Sequence, residues 1–119
     1  MISDVSKILK KILAIDGVIM SALYRIDGEI LCAKTNVSSR EVLTALYWLE
    51  NQIKEMLYQI SSRDLDEARF KFGKIVIILF PASKTTVIGV MIDEEASKYK
   101  IEIDIKTMCR KIGKLVSSF

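Results

Sequence analysis

The sequence contains no histidine. That removes the commonest general base, a common zinc ligand and the usual pH switch. Proline occurs once and glycine five times in 119 residues. Collagen-like and low-complexity chains need far more of both, and disordered chains carry fewer apolar residues than the 50% found here. Two cysteines, Cys32 and Cys109, form no CxxC pair and no zinc-ligand cluster. They are expected as buried, reduced thiols. The longest apolar run, Ile75 to Ala82, is far short of the roughly 20 residues that a membrane span needs. Met1-Ile2-Ser3-Asp4 carries an acid early and has no signal-peptide apolar region. The expectation is a soluble, intracellular and cytoplasmic protein.

The length fits a single domain over residues 1–119. Half apolar is high for so short a chain, which implies a rich core or an apolar surface for a partner. The net charge is +3, from 18 basic and 15 acidic residues, with no block of like charge. Nucleic-acid binding usually shows a denser basic stripe with interleaved aromatics, so no nucleic-acid partner is expected.

Ser3 is placed to cap a first helix, with Asp4 in its first turn. Val5, Ile8, Leu9, Ile12 and Leu13 recur at helical spacing, with Lys7, Lys10 and Lys11 on the other face. This fits a helix docked on a sheet with its lysines in water. The alternative is weak contact with a membrane surface. Asp16-Gly17 ends the helix. Val18 to Ile26 reads as a strand, Asp27-Gly28 as a hairpin turn, and Glu29 to Lys34 as the returning strand. Asp27 belongs to the turn and is not a catalytic acid.

Ser38 and Glu41 make a capping box for a central helix over about residues 39–60. Val42, Leu46, Leu49, Ile53, Met56 and Ile60 form its main stripe. Asp66 to Phe72 alternates, Ile75 to Phe80 is continuously apolar, and Thr85 to Ile92 is rich in β-branched residues. These read as three further strands. Asp93-Glu94-Glu95 opens the last segment, where acids suit a helix N-terminus. Clean helical spacing runs from Ile101 to Phe119. Gly113 costs this helix some stability without breaking the pattern. The order is α-β-β-α-β-β-β-α. Its strand connections are too short for parallel crossovers. The fold class is therefore α+β, with a five-stranded antiparallel sheet and helices on both faces.

No catalytic constellation is visible. There is no phosphate-binding GxxxxGK[ST] loop and no GxGxxG. The acid runs Asp64, Asp66, Glu67 and Asp93 to Glu95 lack the spacing of a calcium loop. Arg25, Arg40, Arg63, Arg69 and Arg110 stand singly. Any one has the chemistry of an arginine finger towards a nucleotide-binding partner.

The central helix is the most informative segment. Leu43, Tyr47 and Tyr58 lie off its main stripe, and Trp48 points elsewhere again. A helix apolar on several faces is buried on several faces, and aromatics favour interface centres. These four residues are candidate contacts to another protein.

The element order resembles the Roadblock family, named for the dynein light chain and including GTPase regulators. Leu13-Ala14-Ile15-Asp16-Gly17-Val18, then a strand, then Asp27-Gly28-Glu29-Ile30-Leu31 is similar to the family's opening. The long central helix, the Phe72-Gly73-Lys74 turn, the apolar strand after it and the closing helix also fit. The resemblance implies a profilin-like, roadblock architecture. It implies a homodimer or heterodimer in which third strands, here Glu67 to Phe72, pair across the interface and central helices lie side by side. Arg69, Phe70, Lys71, Leu43 and Tyr47 are then the expected dimer interface. Trp48, Asn51, Lys54 and Tyr58 are the expected partner surface. The implied partner is a small Ras-like GTPase or another roadblock-type subunit, with no catalytic residues, metal or cofactor of the chain's own. The competing reading is a small-ligand sensor, which would need buried polar groups such as Ser21, Tyr24 and Thr86 to line an apolar pocket.

Overall fold

A computed structural model describes residues 2–25, 27–36, 68–95 and 98–116, together with Arg40, Thr44, Trp48 and Glu55. Helix α1 (Ile2–Leu13) carries Asp4 in its first turn and Lys10 and Lys11 in its last, complementing the helix dipole at both ends. It starts one residue before Ser3, so Ser3 lies inside the helix and not at its cap. Gly17, at φ 93°, makes the left-handed turn into strand β1 (Val18–Arg25). Asn36 secures this corner. Its side-chain amide donates to the Leu13 carbonyl at 3.0 Å, satisfying an acceptor at the end of α1.

Strand β2 (Ile30–Thr35) returns through the Asp27-Gly28 turn, where Gly28 has φ 94°. The turn is tied at three levels. The Arg25 and Glu29 backbones bond at 2.8 Å, Asp27 Oδ1 accepts the Glu29 N–H at 3.1 Å, and Arg25 pairs with Asp27. Asp27 thus acts in the turn, as expected. Strands β3 (Ala68–Phe72), β4 (Ile75–Pro81) and β5 (Thr86–Asp93) follow as antiparallel hairpins. Pro81 is the last residue of β4, at an exposed strand end where a missing N–H costs little. The sheet order is β2-β1-β5-β4-β3, with β1 beside β5. All four strand pairs are antiparallel.

Between β2 and β3, Arg40, Thr44, Trp48 and Glu55 are helical. The Thr44 hydroxyl donates to the Arg40 carbonyl one turn back, at 2.8 Å. Helix α2 (Lys98–Val116) closes the fold. It begins before Ile101, and its first turn holds no acid. The acids Asp93, Glu94 and Glu95 lie ahead of it instead. Asp93 Oδ1 accepts the Glu95 N–H at 3.0 Å, closing a turn.

Side-chain alternation divides the core into two layers. Val76, Ile78 and Phe80 of β4 and Val90 and Ile92 of β5 pack under Val5, Leu9 and Ile12 of α1 and Ile105, Ile112 and Val116 of α2. Ile75, Ile77, Leu79 and Met91 face the opposite way, with Met20, Ala22 and Tyr24 of β1. Trp48 packs on this second layer. Helical residues therefore cover both faces, which explains why β4 reads as apolar throughout. Cys32 is free and half-buried, more accessible than the buried thiol expected. Among the described residues no helix is long and apolar enough to cross a membrane.

Candidate functional site

Among the described strands, β3 lies at one edge of the sheet, with β4 as its neighbour. A two-residue turn, Gly73-Lys74, joins the two strands, with Gly73 at φ 61°. In such a hairpin the flanking pair, here Phe72 and Ile75, exchanges ladder hydrogen bonds. Alternate residues then do the same, so Phe70 bonds to β4 while Arg69 and Lys71 direct their backbone N–H and C=O outward. A sheet edge of this kind is a template for another strand.

The two faces of β3 are anchored differently. Ala68 and Phe70 join the second core layer, where Trp48 meets Phe70 edge to face at 5.6 Å between ring centroids. Arg69 and Lys71 turn to the other face. Arg69 pairs with Glu102 of α2, whose side chain is only 15% exposed. Lys71 Nζ lies 3.3 Å from Glu94 Oε2, and the Glu94 N–H donates to the Lys74 carbonyl at 3.0 Å. The half-buried Arg69 pair carries more of this anchoring than the exposed Lys71 pair, because solvent screens the latter. The edge strand is thus held in place from β4, α2 and Trp48.

Sequence reasoning placed Arg69, Phe70 and Lys71 on one strand, and the structure brings them together with Trp48. Trp48 was expected on the partner surface; its ring lies against Phe70 and is half-buried. Leu43, Tyr47, Asn51, Lys54 and Tyr58 lie outside the described residues, as do Asp64, Asp66, Glu67 and Arg63. Glu102 was missed. It is a solitary acid in a helix, and its partner lies in a strand far away in sequence, so no local pattern marks it. Asn36 was missed for the same reason.

Several of the chemical candidates are engaged in the fold. Arg25 binds Asp27 and Glu29, and Arg69 binds Glu102. Glu94 binds Lys71. Among the described residues no three His, Cys, Asp or Glu gather as a metal site. Two of the polar groups that a sensor pocket would need, the Ser21 and Thr86 hydroxyls, are also committed. The buried Ser21 hydroxyl donates to the Leu9 carbonyl of α1 at 2.9 Å. The buried Thr86 hydroxyl lies 2.6 Å from Ser83 Oγ. Tyr24 is fully buried and packs against Gly89, where a Cβ would stand 2.9 Å from its ring.

The same backbone path occurs in known structures. MglB of Myxococcus xanthus superposes with a TM-score of 0.78 at 10% identity, covering 98% of each chain. MglC of Myxococcus xanthus gives 0.77 at 11% identity, over 92% of this chain and 97% of MglC. A Roadblock/LC7 domain from Streptomyces avermitilis gives 0.73 at 8% identity, over 93% of this chain and 96% of that domain. At these identities the likeness is one of fold, and the fold is the roadblock fold. No curated protein matches the sequence. The sequence model of the AF0774-like protein family matches residues 2–106, most of the chain and all five strands. The chain therefore belongs to the AF0774-like protein family, with a roadblock fold as its framework.

Proposed function

We propose that this protein is a non-catalytic, dimeric interaction module that binds a small Ras-like GTPase or another roadblock-type subunit, and regulates or scaffolds it. The observation that carries this reading is the edge strand β3. Its two faces are anchored by Trp48, Glu102 and Glu94, and the Lys71 backbone is directed away from β4, the direction from which a second strand would pair. Pairing with the same strand of a second copy would extend one sheet across both protomers. Arg69, Phe70 and Lys71, with Leu43 and Tyr47, form the dimer interface in this reading. Trp48, Asn51, Lys54 and Tyr58 belong to the helical layer offered to the partner, with the Trp48 ring also bracing Phe70. One structure similar to this chain is of MglB in a tetrameric arrangement, so assembly occurs on this fold.

The sequence resemblance supplies the partner class. A module of this kind acts by holding a GTPase in place, and the GTPase's own residues perform the hydrolysis. The sensor reading is weaker because Ser21 and Thr86 spend their hydroxyls within the fold.

Light scattering at micromolar concentration tests the assembly. The expected result is a dimer, and a stable monomer overturns it. GTP hydrolysis by a co-purifying small GTPase, measured with and without this chain, then separates activator from scaffold. Failure of that GTPase to bind in either nucleotide state overturns the partner assignment.

A further inference from the structure

Helices α1 and α2 contact each other and bury their apolar stripes in the same core layer. Their opposite sides therefore face outward together as one two-helix layer. That layer is basic. Lys7, Lys10 and Lys11 of α1 and Arg110 and Lys111 of α2 are all exposed. Asp4 is the exposed acid of the two helices among the described residues, and Asp104 is half-buried at the flank of α2. Ile103 is 66% exposed. It sits seven residues before Arg110, two helical turns away and pointing nearly the same way. The helix dipole accounts for Lys10 and Lys11, which lie in the last turn of α1. Lys7, Arg110 and Lys111 lie before the last turns of their helices, where that effect has faded.

We propose that the outer face of α1 and α2 docks on an anionic membrane surface. Two helices lying side by side on a sheet make a broad, shallow face, which suits a planar partner. Lysine and arginine reach headgroup phosphates while their alkyl stems and Ile103 meet the apolar boundary. Among the residues of this face whose exposure is described, none that is exposed is aromatic, whereas single-stranded nucleic acid binds on aromatic stacking platforms. Antiparallel pairing of β3 with its copy places the two-fold axis perpendicular to the sheet. Both basic layers would then fall on one side, doubling the face and adding avidity. This doubling rests on the dimer proposed above; binding through a single face does not.

The test is flotation with phosphatidylcholine vesicles that contain or lack phosphatidylserine. Binding is expected only with phosphatidylserine and should weaken as salt is added. Each cation removed near such a surface should weaken binding roughly fivefold. The K7Q/K10Q/K11Q variant should therefore lose roughly a hundredfold and R110Q/K111Q more than tenfold, with Ile103→Ser weakening binding further. Lys84→Gln, an exposed lysine outside the two helices, should bind as the parent does. Circular dichroism and light scattering on each variant distinguish loss of the face from loss of fold or dimer. Three results overturn the proposal: no excess binding to phosphatidylserine vesicles, parent-like binding by both multiple variants, or a single-stranded RNA that binds this face more tightly than the vesicles.

Discussion

Trp48 meets Phe70 edge to face, with ring centroids 5.6 Å apart and planes inclined at 69°. One residue is helical and the other lies in the edge strand, so this contact fastens β3 to the layer above it. Trp48→Ala should cost roughly 2 kcal/mol, below the range for a fully buried tryptophan because the ring is half-exposed. Phe70→Ala should cost a similar amount. The double variant should lose less than the sum, by about 0.5–1.5 kcal/mol, the usual worth of an aromatic pair beyond its buried area. Urea titration of the four proteins measures the coupling. Fully additive losses would show that the ring contact contributes nothing of its own.

Gly113 of α2 faces the backbone of the β4–β5 turn. A Cβ there would stand 2.4 Å from the Ala82 carbonyl oxygen, well inside contact distance. By helix propensity alone, Gly113→Ala should stabilise the protein by about 1 kcal/mol. The close approach reverses the sign, because either α2 or the turn must move, and overpacking costs about 1–3 kcal/mol. The expected outcome is net destabilisation by roughly 1 kcal/mol, read from the urea midpoint. A more stable variant would mean that the turn yields easily.

The contrast at Gly113 marks the boundary of what local pattern can reveal. Helical spacing in α1, the Asp27-Gly28 turn and the apolar run of β4 each reflect neighbours within a few residues, and all three were legible. Strand boundaries fell within a few residues of those expected. The pairing of β1 with β5, the Arg69–Glu102 ion pair and the Ala82–Gly113 approach join segments far apart in the chain. Nothing in the spacing around those residues encodes the distant partner. Asp93 to Glu95 failed for a related reason. Acids before a helix suit its dipole, but Asp93 closes a turn and Glu94 is drawn to Lys71 instead. Of the expected site, the strand carrying Arg69, Phe70 and Lys71 was legible, while Leu43, Tyr47, Asn51, Lys54 and Tyr58 lie outside the described residues. Arg69 was legible as part of the edge strand, but its role as an anchor to α2 was not.

Asp27 should titrate far below an ordinary aspartate. The side-chain hydrogen bond from Arg25, helped by the Glu29 N–H, lowers its pKa from 3.8 to about 2. A lowered folded-state value means that the carboxylate supports the fold fully above about pH 4. That support fades as pH falls through about 2. The pair is exposed, so added salt should weaken the effect. Carboxyl carbon NMR shifts against pH give the midpoint directly. Arg25→Gln should move it up towards 3.8 without reaching it, since the Glu29 N–H remains. Asp27→Asn should flatten the acid limb of thermal stability against pH. An unchanged midpoint in Arg25→Gln would show that the guanidinium is not what holds the carboxylate.

Lys71→Pro distinguishes edge pairing from other modes of assembly. Lys71 pairs with Val76, one position before the hydrogen-bonded Phe72–Ile75 pair, so its N–H points away from β4. Proline there removes an outward donor and leaves the β3–β4 ladder its own bonds, as edge strands tolerate. It also removes the ion pair to Glu94, which is exposed and contributes at most about 1 kcal/mol. Lys71→Gln loses the same ion pair and keeps the N–H, so it serves as the control. If two copies pair through β3, the proline variant should be a folded monomer by light scattering and circular dichroism, while Lys71→Gln stays dimeric. Dimers in both variants would rule out pairing through the β3 backbone and shift the interface to the helical layer over Phe70. Monomers in both would assign the interface to the Lys71 side chain. Only the split between them assigns the assembly to the open edge of the sheet.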